Sequence, residues 1–412
     1  MNAFIRSKSM GGWKNTFPLF VMVFITTSSV YFIAPILGPF LLNQKEFISQ
    51  QHRHIYYCLA LTLPQVFMIV GPPLWGALSD QFDRKRLLVL ALIGVTMSVL
   101  ISAIGIKFQW LWCLLLGQAL LGITDASDCL AQAAVIDLSD CSNKLRNMNL
   151  VNFSSTLGLV VGPLFGGILS DQKICSAFHY ETPFIIALFL LILNILCILF
   201  VYPASLRNVD RTIIHKRIFD FSFIFSTPGL KFLIIIFFML ELTLGIYYQT
   251  MFLFLTEHMN YSPSKVGSFY AFFAIMICST YLFLTPLLTR RLNKYQLIAA
   301  SFSAISGSGV VLTFFHSEFM IWIFSIPLAI CVALIYSFSM TLFSDFSRRD
   351  DQGKIMGATM SIVAISFFFA GIIINLGFNL NRVFLIFSII AMIGFVYTMV
   401  VPKKFTSVFY EQ

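Results

Sequence analysis

The chain has 412 residues, of which 58% are hydrophobic and 11% charged, with a mean hydropathy of +0.87. A soluble globular domain carries about a quarter of its residues as charged ones, so this composition excludes a water-soluble fold and makes lipid the solvent. The net charge of +9 raises the question of a nucleic-acid surface, which the placement of the basic residues answers below.

In lipid every backbone polar group needs an internal partner, which leaves only helices and closed barrels. Continuous apolar runs without period-two alternation select helices. The short basic stretch Met1–Lys14 precedes the first run, and no small-x-small site closes that run, so it reads as an uncleaved span. Runs long enough to cross roughly 30 Å of hydrocarbon then follow at 17–42, 55–79, 87–106, 110–138, 147–170 and 183–202. A polar stretch, 203–230, separates them from six more at 231–256, 264–288, 296–315, 319–344, 355–377 and 383–401. The expected fold is an all-α integral membrane protein of twelve spans. It consists of two six-helix bundles, 1–202 and 231–412, joined by the linker 203–230 and related by internal duplication.

The basic residues orient these spans. With the N-terminus cytoplasmic, 21 of the 27 Lys and Arg fall on the inside and only Lys45, Arg53, Lys107, Lys173, Lys265 and Arg382 on the outside. The positive-inside rule therefore places both termini in the cytoplasm. It also accounts for the net charge as topology bias, with the bilayer and not nucleic acid as the partner. The eight cysteines are scattered and form no Cys-x-x-Cys pair, so no disulfide framework or zinc site is indicated. His52-x-His54 in an outer loop is too weak a signal to carry a metal site, and no cofactor is expected.

Between the second and third spans the chain reads Gly76-Ala-Leu-Ser-Asp80-Gln-Phe-Asp83-Arg84-Lys-Arg86. Gly76 lets one helix approach another, Asp80 stands where it can pair with Arg84, and Asp83 sits where a tight turn favours left-handed backbone. This loop resembles the G-x-x-x-D-R-x-G-R-R/K signature of the major facilitator superfamily, with Gln81 and Asp83 as departures. The resemblance implies that Asp137, at the end of the fourth span, is the acidic partner, and that Gly76, Asp80, Arg84 and Asp137 form a cytoplasmic gate. The other reading is that the basic residues only set topology. Pro286–Lys294, with Arg291, Asn293 and Lys294, looks like a decayed second copy. The fifth span carries Gly158-x-x-x-Gly162-Pro163-x-x-Gly166-Gly167, a small-residue stripe with an interior proline that kinks the helix. It is similar to the G-x-x-x-G-P-x-x-G-G element of proton-coupled drug antiporters in the superfamily, of which the tetracycline and multidrug exporters are the nearest by pattern.

On a continuous helix, Gln118, Asp125, Asp128 and Gln132 of the fourth span share an arc of about 80°. A carboxylate near mid-bilayer costs at least about 2.5 kcal/mol, so two of them need water, each other or a ligand. Glu241 of the seventh span is a third such acid. The resemblance implies that spans 1, 4, 7 and 10 line a central cavity, which makes these residues the expected substrate and proton pathway, with Tyr31, Tyr248 and Tyr336 completing it. Gln65, Tyr247 and Gln249 are further polar groups within spans. Family antiporters often carry an Arg where Gln118 stands, so the cavity of this chain is expected to be acidic. The acids would carry protons or attract a cationic or metal-bearing solute; alternatively Asp125 or Asp128 caps a helix break. No phosphate-cradling Gly-x-x-x-x-Gly-Lys-Ser/Thr is present, and no nucleophile–base or metal constellation lies in the spans. The linker is too short for a sensor domain. The expected function is therefore transport and not catalysis: a monomeric, proton-coupled exporter of a small organic solute in the bacterial-type inner membrane, or a siderophore or metabolite transporter of the same fold.

Overall fold

The computed structural model of the chain describes residues 13–33, 36, 40, 59–60, 62–140, 143–170, 175–203, 228–255, 259, 261, 263–289, 293–315, 317–347, 351–375 and 380–400. The expectations for residues 204–227 of the linker, for His52 and His54, for Arg291 and for the two termini lie outside these residues. Every regular element among them is helical. In chain order they are α1 (Trp13–Tyr31), a run at 62–68, α2 (Gly71–Gln81), α3 (Arg84–Lys107), α4 (Leu111–Thr124), α5 (Ser127–Leu138), α6 (Lys144–Ser170) and α7 (Thr182–Phe200). After the linker come α8 (Pro228–Leu253), α9 (Pro263–Ser279), a π turn at Thr280–Leu284, α10 (Thr285–Leu288), α11 (Lys294–Phe314), α12 (Glu318–Phe346), α13 (Gln352–Asn375) and α14 (Leu380–Val400).

Ten spans among the described residues are long and apolar enough to cross a membrane, counting α4–α5 and α9–α10 as one each. Together with α1 and the interrupted helix at 62–81, they stand at the positions of the twelve expected spans. Local chemistry sets the helix ends. Asp83, Asn293 and Ser317 are N-caps whose side chains accept from Lys85, Tyr295 and Met320 backbone N–H groups. Prolines open α2, α7 and α10, where no N–H is needed. Along α7, Phe184, Ala187, Leu191, Asn194 and Ile198 recur at helical spacing on the buried side. The opposite side exposes Ile185, Phe189, Ile192, Leu196 and Phe200. A helix apolar on its exposed face as well as its buried one is built for lipid.

The chain divides into two compact units. The first takes in 1–147, 154–220 and 349–361, the second 148–153, 221–348 and 362–412. In the first, α3 packs on α4, α7 on α3 and α1, α1 on α5, and α2 on α5. In the second, α11 packs on α12, α14 on α11 and α8, α8 on α12, and α9 on α12. Numbered as spans, the second set of pairs is the first with six added to every member, as internal duplication requires. The core of the first unit is built from Val95, Val99, Leu114, Phe184, Ala187 and Leu191 with their neighbours. Asn194, fully buried on α7, donates to the Met22 carbonyl and to Thr26 Oγ1 of α1, both at 3.0 Å. Polar bonds of this kind hold helices together where lipid supplies no hydrophobic drive.

Candidate functional site

Asp83 does not adopt the left-handed backbone expected of it. Its φ is −60°, and it is the N-cap of α3, accepting from Lys85 N at 2.8 Å. A capping Asp does the work of the family glycine by ending one helix and starting the next. Arg84, 2% exposed, then points inward. Its Nε donates to Asp137 Oδ2 at 2.8 Å, its Nη2 to Asp80 Oδ1 at 3.2 Å, and its Nη1 to Ser79 Oγ. Asp80 has a further role: Oδ1 accepts from Gly353 N at 2.8 Å and Oδ2 from Lys354 N at 2.9 Å. The carboxylate thus closes the N-terminus of α13, where unpaired N–H groups and the helix dipole favour a negative charge. Gly76 permits this approach, since a Cβ there would lie 2.0 Å from the Gly353 carbonyl oxygen, and one on Gly353 would lie 2.2 Å from that of Gly76. The Lys85 ammonium donates to the Tyr202 carbonyl just past the end of α7 at 2.6 Å. Gly76, Asp80, Arg84 and Asp137 are therefore one connected network within the first unit. The sequence did not point to Ser79, Gly353 or Lys354 as members.

The glycines of α6 face α1. A Cβ at Gly158 would meet Thr27 Cβ at 2.8 Å, at Gly162 the Ser28 carbonyl oxygen at 2.8 Å, and at Gly166 the Phe32 carbonyl oxygen at 2.3 Å. Gly167 has nothing within 4 Å and takes no part in this seam. α6 runs through Pro163 as one helix. Tyr31 closes the seam at the end of α1, its Cβ 2.8 Å from the position a Gly162 Cβ would take.

The fourth span is two helices, not one. α4 ends at Thr124 and α5 starts at Ser127, with Asp125 as the C-cap of α4. The arc drawn for one continuous helix therefore does not apply across Asp125 and Ala126. The break leaves carbonyls without helical partners, and they are met locally. Trp75 Nε1 donates to the Ile123 carbonyl at 2.8 Å, and the Ala126 N–H turns back to that of Thr124 at 2.8 Å. Asp125 Oδ1 accepts from Ser127 Oγ at 3.1 Å. Asp128, in the first turn of α5, accepts from Ser155 Oγ of α6 on Oδ2 at 2.8 Å. Its Oδ1 is buried without a hydrogen-bond partner among the described residues. The two acids are close enough to repel electrostatically. Gln118 Nε2 donates to Ser102 Oγ on α3 at 3.4 Å. Gln132 is buried within α5.

In the second unit Glu241 on α8 is 2% exposed, and its Oε1 is buried without a partner among the described residues. Tyr281 lies within its electrostatic reach. Tyr336 packs on Phe237 with ring centroids 5.5 Å apart. The Tyr248 ring packs tilted against Tyr270 with centroids 4.4 Å apart, and the Tyr270 hydroxyl donates to the Tyr248 carbonyl at 2.6 Å. Tyr247 is committed to Ser325 Oγ at 2.7 Å, and Gln249 Nε2 to the Phe367 carbonyl at 3.2 Å. Among the described residues no group of three or more His, Cys, Asp or Glu side chains converges to hold a metal.

The family profile described as Major Facilitator Superfamily matches residues 19–371. The chain belongs to this superfamily. The class H tetracycline resistance protein of Pasteurella multocida is 24% identical over 359 residues, covering 86% of each chain. The staphyloferrin B transporter of Staphylococcus aureus is 25% identical over 161 residues, 39% of this chain and 37% of that one. Among solved structures, the human organic anion transporter MFSD10 (TETRAN) superimposes with a TM-score of 0.78 at 15% identity, over 93% of this chain and 99% of that one. Within this superfamily the fold is that of a multi-pass membrane transporter. The Arg84 network then sits on the loop that resembles the family signature, and the acids Asp125, Asp128 and Glu241 lie in spans four and seven.

Proposed function

We propose that the chain is a proton-coupled secondary transporter that exports a small organic solute across the bacterial inner membrane by alternating access. The observation that carries this is Asp128. Its carboxylate lies at a break in a membrane-spanning helix, held on one oxygen by Ser155 and without a partner among the described residues on the other. A carboxylate within a span, with one oxygen buried and no counter-charge among the described residues, is best stabilised by neutralisation, by a proton or by a cationic group of a bound solute. Both outcomes belong to a cycle in which a site faces first one side and then the other. Glu241 is a buried acid of the second unit. In this reading Asp125, Gln118, Gln132, Tyr31, Tyr248 and Tyr336 line the path, and the Arg84 network is the cytoplasmic gate. The two bundles are 1–202 and 231–412, joined by 203–230. The 21-to-6 split of basic residues supports cytoplasmic termini. Similarity to tetracycline resistance proteins over most of the chain favours export of a drug-like solute. The shorter match to a staphyloferrin B transporter supports a metabolite chelate as the second reading.

The test is transport by the purified chain in proteoliposomes under an imposed pH gradient, screened over tetracyclines, other cationic drugs and ferric chelates. Asp128→Asn is expected to abolish gradient-driven movement while leaving the protein folded. If Asp125→Asn, Asp128→Asn and Glu241→Gln each transport as well as the native chain, the coupling reading fails. If no solute moves under any gradient, the transport reading fails with it.

A further inference from the structure

Span 8 contains one π turn, Thr280–Leu284, between α9 and α10. There the hydrogen-bond ladder shifts from i+4 to i+5. The Thr285 N–H donates to the Thr280 carbonyl, and the Thr285 hydroxyl adds a second bond to it at 3.0 Å. The next carbonyl along is that of Tyr281. Its i+4 donor, Thr285, is already committed, and its i+5 position is Pro286, which has no N–H. The π turn and Pro286 together leave the Tyr281 carbonyl without a free i+4 or i+5 backbone donor, a costly state for a backbone group away from water.

Asn149 fills that vacancy. Its Nδ2 donates to the Tyr281 carbonyl at 3.4 Å, and its Oδ1 accepts from Ser337 Oγ on α12. Asn149 is 2% exposed and Ser337 0%. One amide therefore spends its donor on span 8 and its acceptor on span 10. All three groups belong to the second compact unit, yet Asn149 is carried by α6, whose residues 144–147 and 154–170 belong to the first. Only the six residues 148–153 cross over.

We propose that Asn149 is a neutral clasp of the transport cycle, which binds the start of α6 to the π turn and to α12 in one state and releases both in the other. The inference rests on the alternating-access reading above and names a control point for it. Neutral interhelical bonds are individually weak in membranes, so a two-bond clasp can be exchanged for water without stranding a charge. The side chain of Tyr281, whose carbonyl receives this bond, is within electrostatic reach of Glu241.

Two arms test this on the full chain. In lipid nanodiscs, amide hydrogen exchange is followed in the native chain and in Asn149→Leu, Ser337→Ala and Pro286→Ala. Asn149→Leu is expected to speed exchange across 280–288 by about five- to tenfold, the loss of two interhelical bonds of ordinary membrane strength, with 84–107 unchanged. Pro286→Ala supplies a backbone donor to Tyr281 and should loosen 144–153 instead. In proteoliposomes moving tetracycline under a pH gradient, an Asn149→Cys/Ser337→Cys chain is bridged by oxidation, with the bridge verified by mass spectrometry. Bridging should arrest transport and reduction restore it, while the chains carrying only one of the two substitutions, treated alike, are unaffected. Unchanged exchange in a folded Asn149→Leu chain overturns the clasp itself. A bridged chain that transports at the unbridged rate leaves a structural contact and overturns its role in the cycle. Faster exchange in Asn149→Leu, combined with a native chain that moves no tetracycline, also overturns that role and locates the failure in the transport reading.

Discussion

The surroundings of Arg84 and of Tyr281 solve the same problem with opposite chemistry. In the first, Asp80 satisfies the buried N–H groups at the start of α13 and is itself held by a buried guanidinium shared with Asp137. In the second, an uncharged amide satisfies one carbonyl stranded by a π turn and a proline. The charged network is interdependent, because removing a member leaves an uncompensated buried charge behind. The neutral one is close to modular, since its loss strands only a polar group. A transporter that carries both has one junction costly to break and one cheap to exchange.

That contrast can be broken by experiment, beginning where the effect is largest. Arg84→Ala should destabilise the purified chain by about 3–5 kcal/mol, the usual cost of stripping one partner from a buried ion pair. The measurement is thermal unfolding in detergent, with Arg84→Lys as a partial rescue. A loss no larger than that of Asn149→Leu would erase the distinction between the two junctions. Next, Gly353→Ala drives a methyl into the Gly76 carbonyl, 2.2 Å from where the Cβ must stand. It should cost about 1–3 kcal/mol by overpacking, read from the same unfolding curve. Smallest is Gly167→Ala, which meets nothing within 4 Å and should shift stability by no more than about 0.5 kcal/mol. Gly166→Ala, against the Phe32 carbonyl, serves as the contrasting control.

The spans were legible because lipid removes the need for amphipathic patterning and leaves long apolar runs that only helices can use. The Arg84–Asp80–Asp137 network was legible because its charges cluster at one loop and at the end of a neighbouring span. Its backbone partners were not, since the N–H groups of Gly353 and Lys354 have no side-chain signature and lie more than 270 residues from Asp80. The break in span 4 was legible only as the alternative in which Asp125 or Asp128 caps a helix break, because 110–138 reads as one apolar run. The cue was there in Asp125-Ala-Ser-Asp128, a cluster of residues that prefer helix ends to helix interiors. Asp83 was misjudged for a related reason: an Asp between two helices was assigned the turn of the family glycine, where its side chain makes an N-cap instead. Asn149 could be found only through Pro286, because a missing donor five residues after Tyr281 becomes visible once the turn is known to be π.

The crossing of Gly76 and Gly353 has a consequence for how this chain can change over generations. Each absent side chain would strike the other residue's main chain, not its side chain. A replacement at one position therefore cannot be relieved by any replacement at the other, since every amino acid carries the same carbonyl. The two sites touch, yet each is constrained alone, so correlated substitution gives no sign of the contact. Methods that infer proximity from paired changes will miss this crossing, however many sequences they compare.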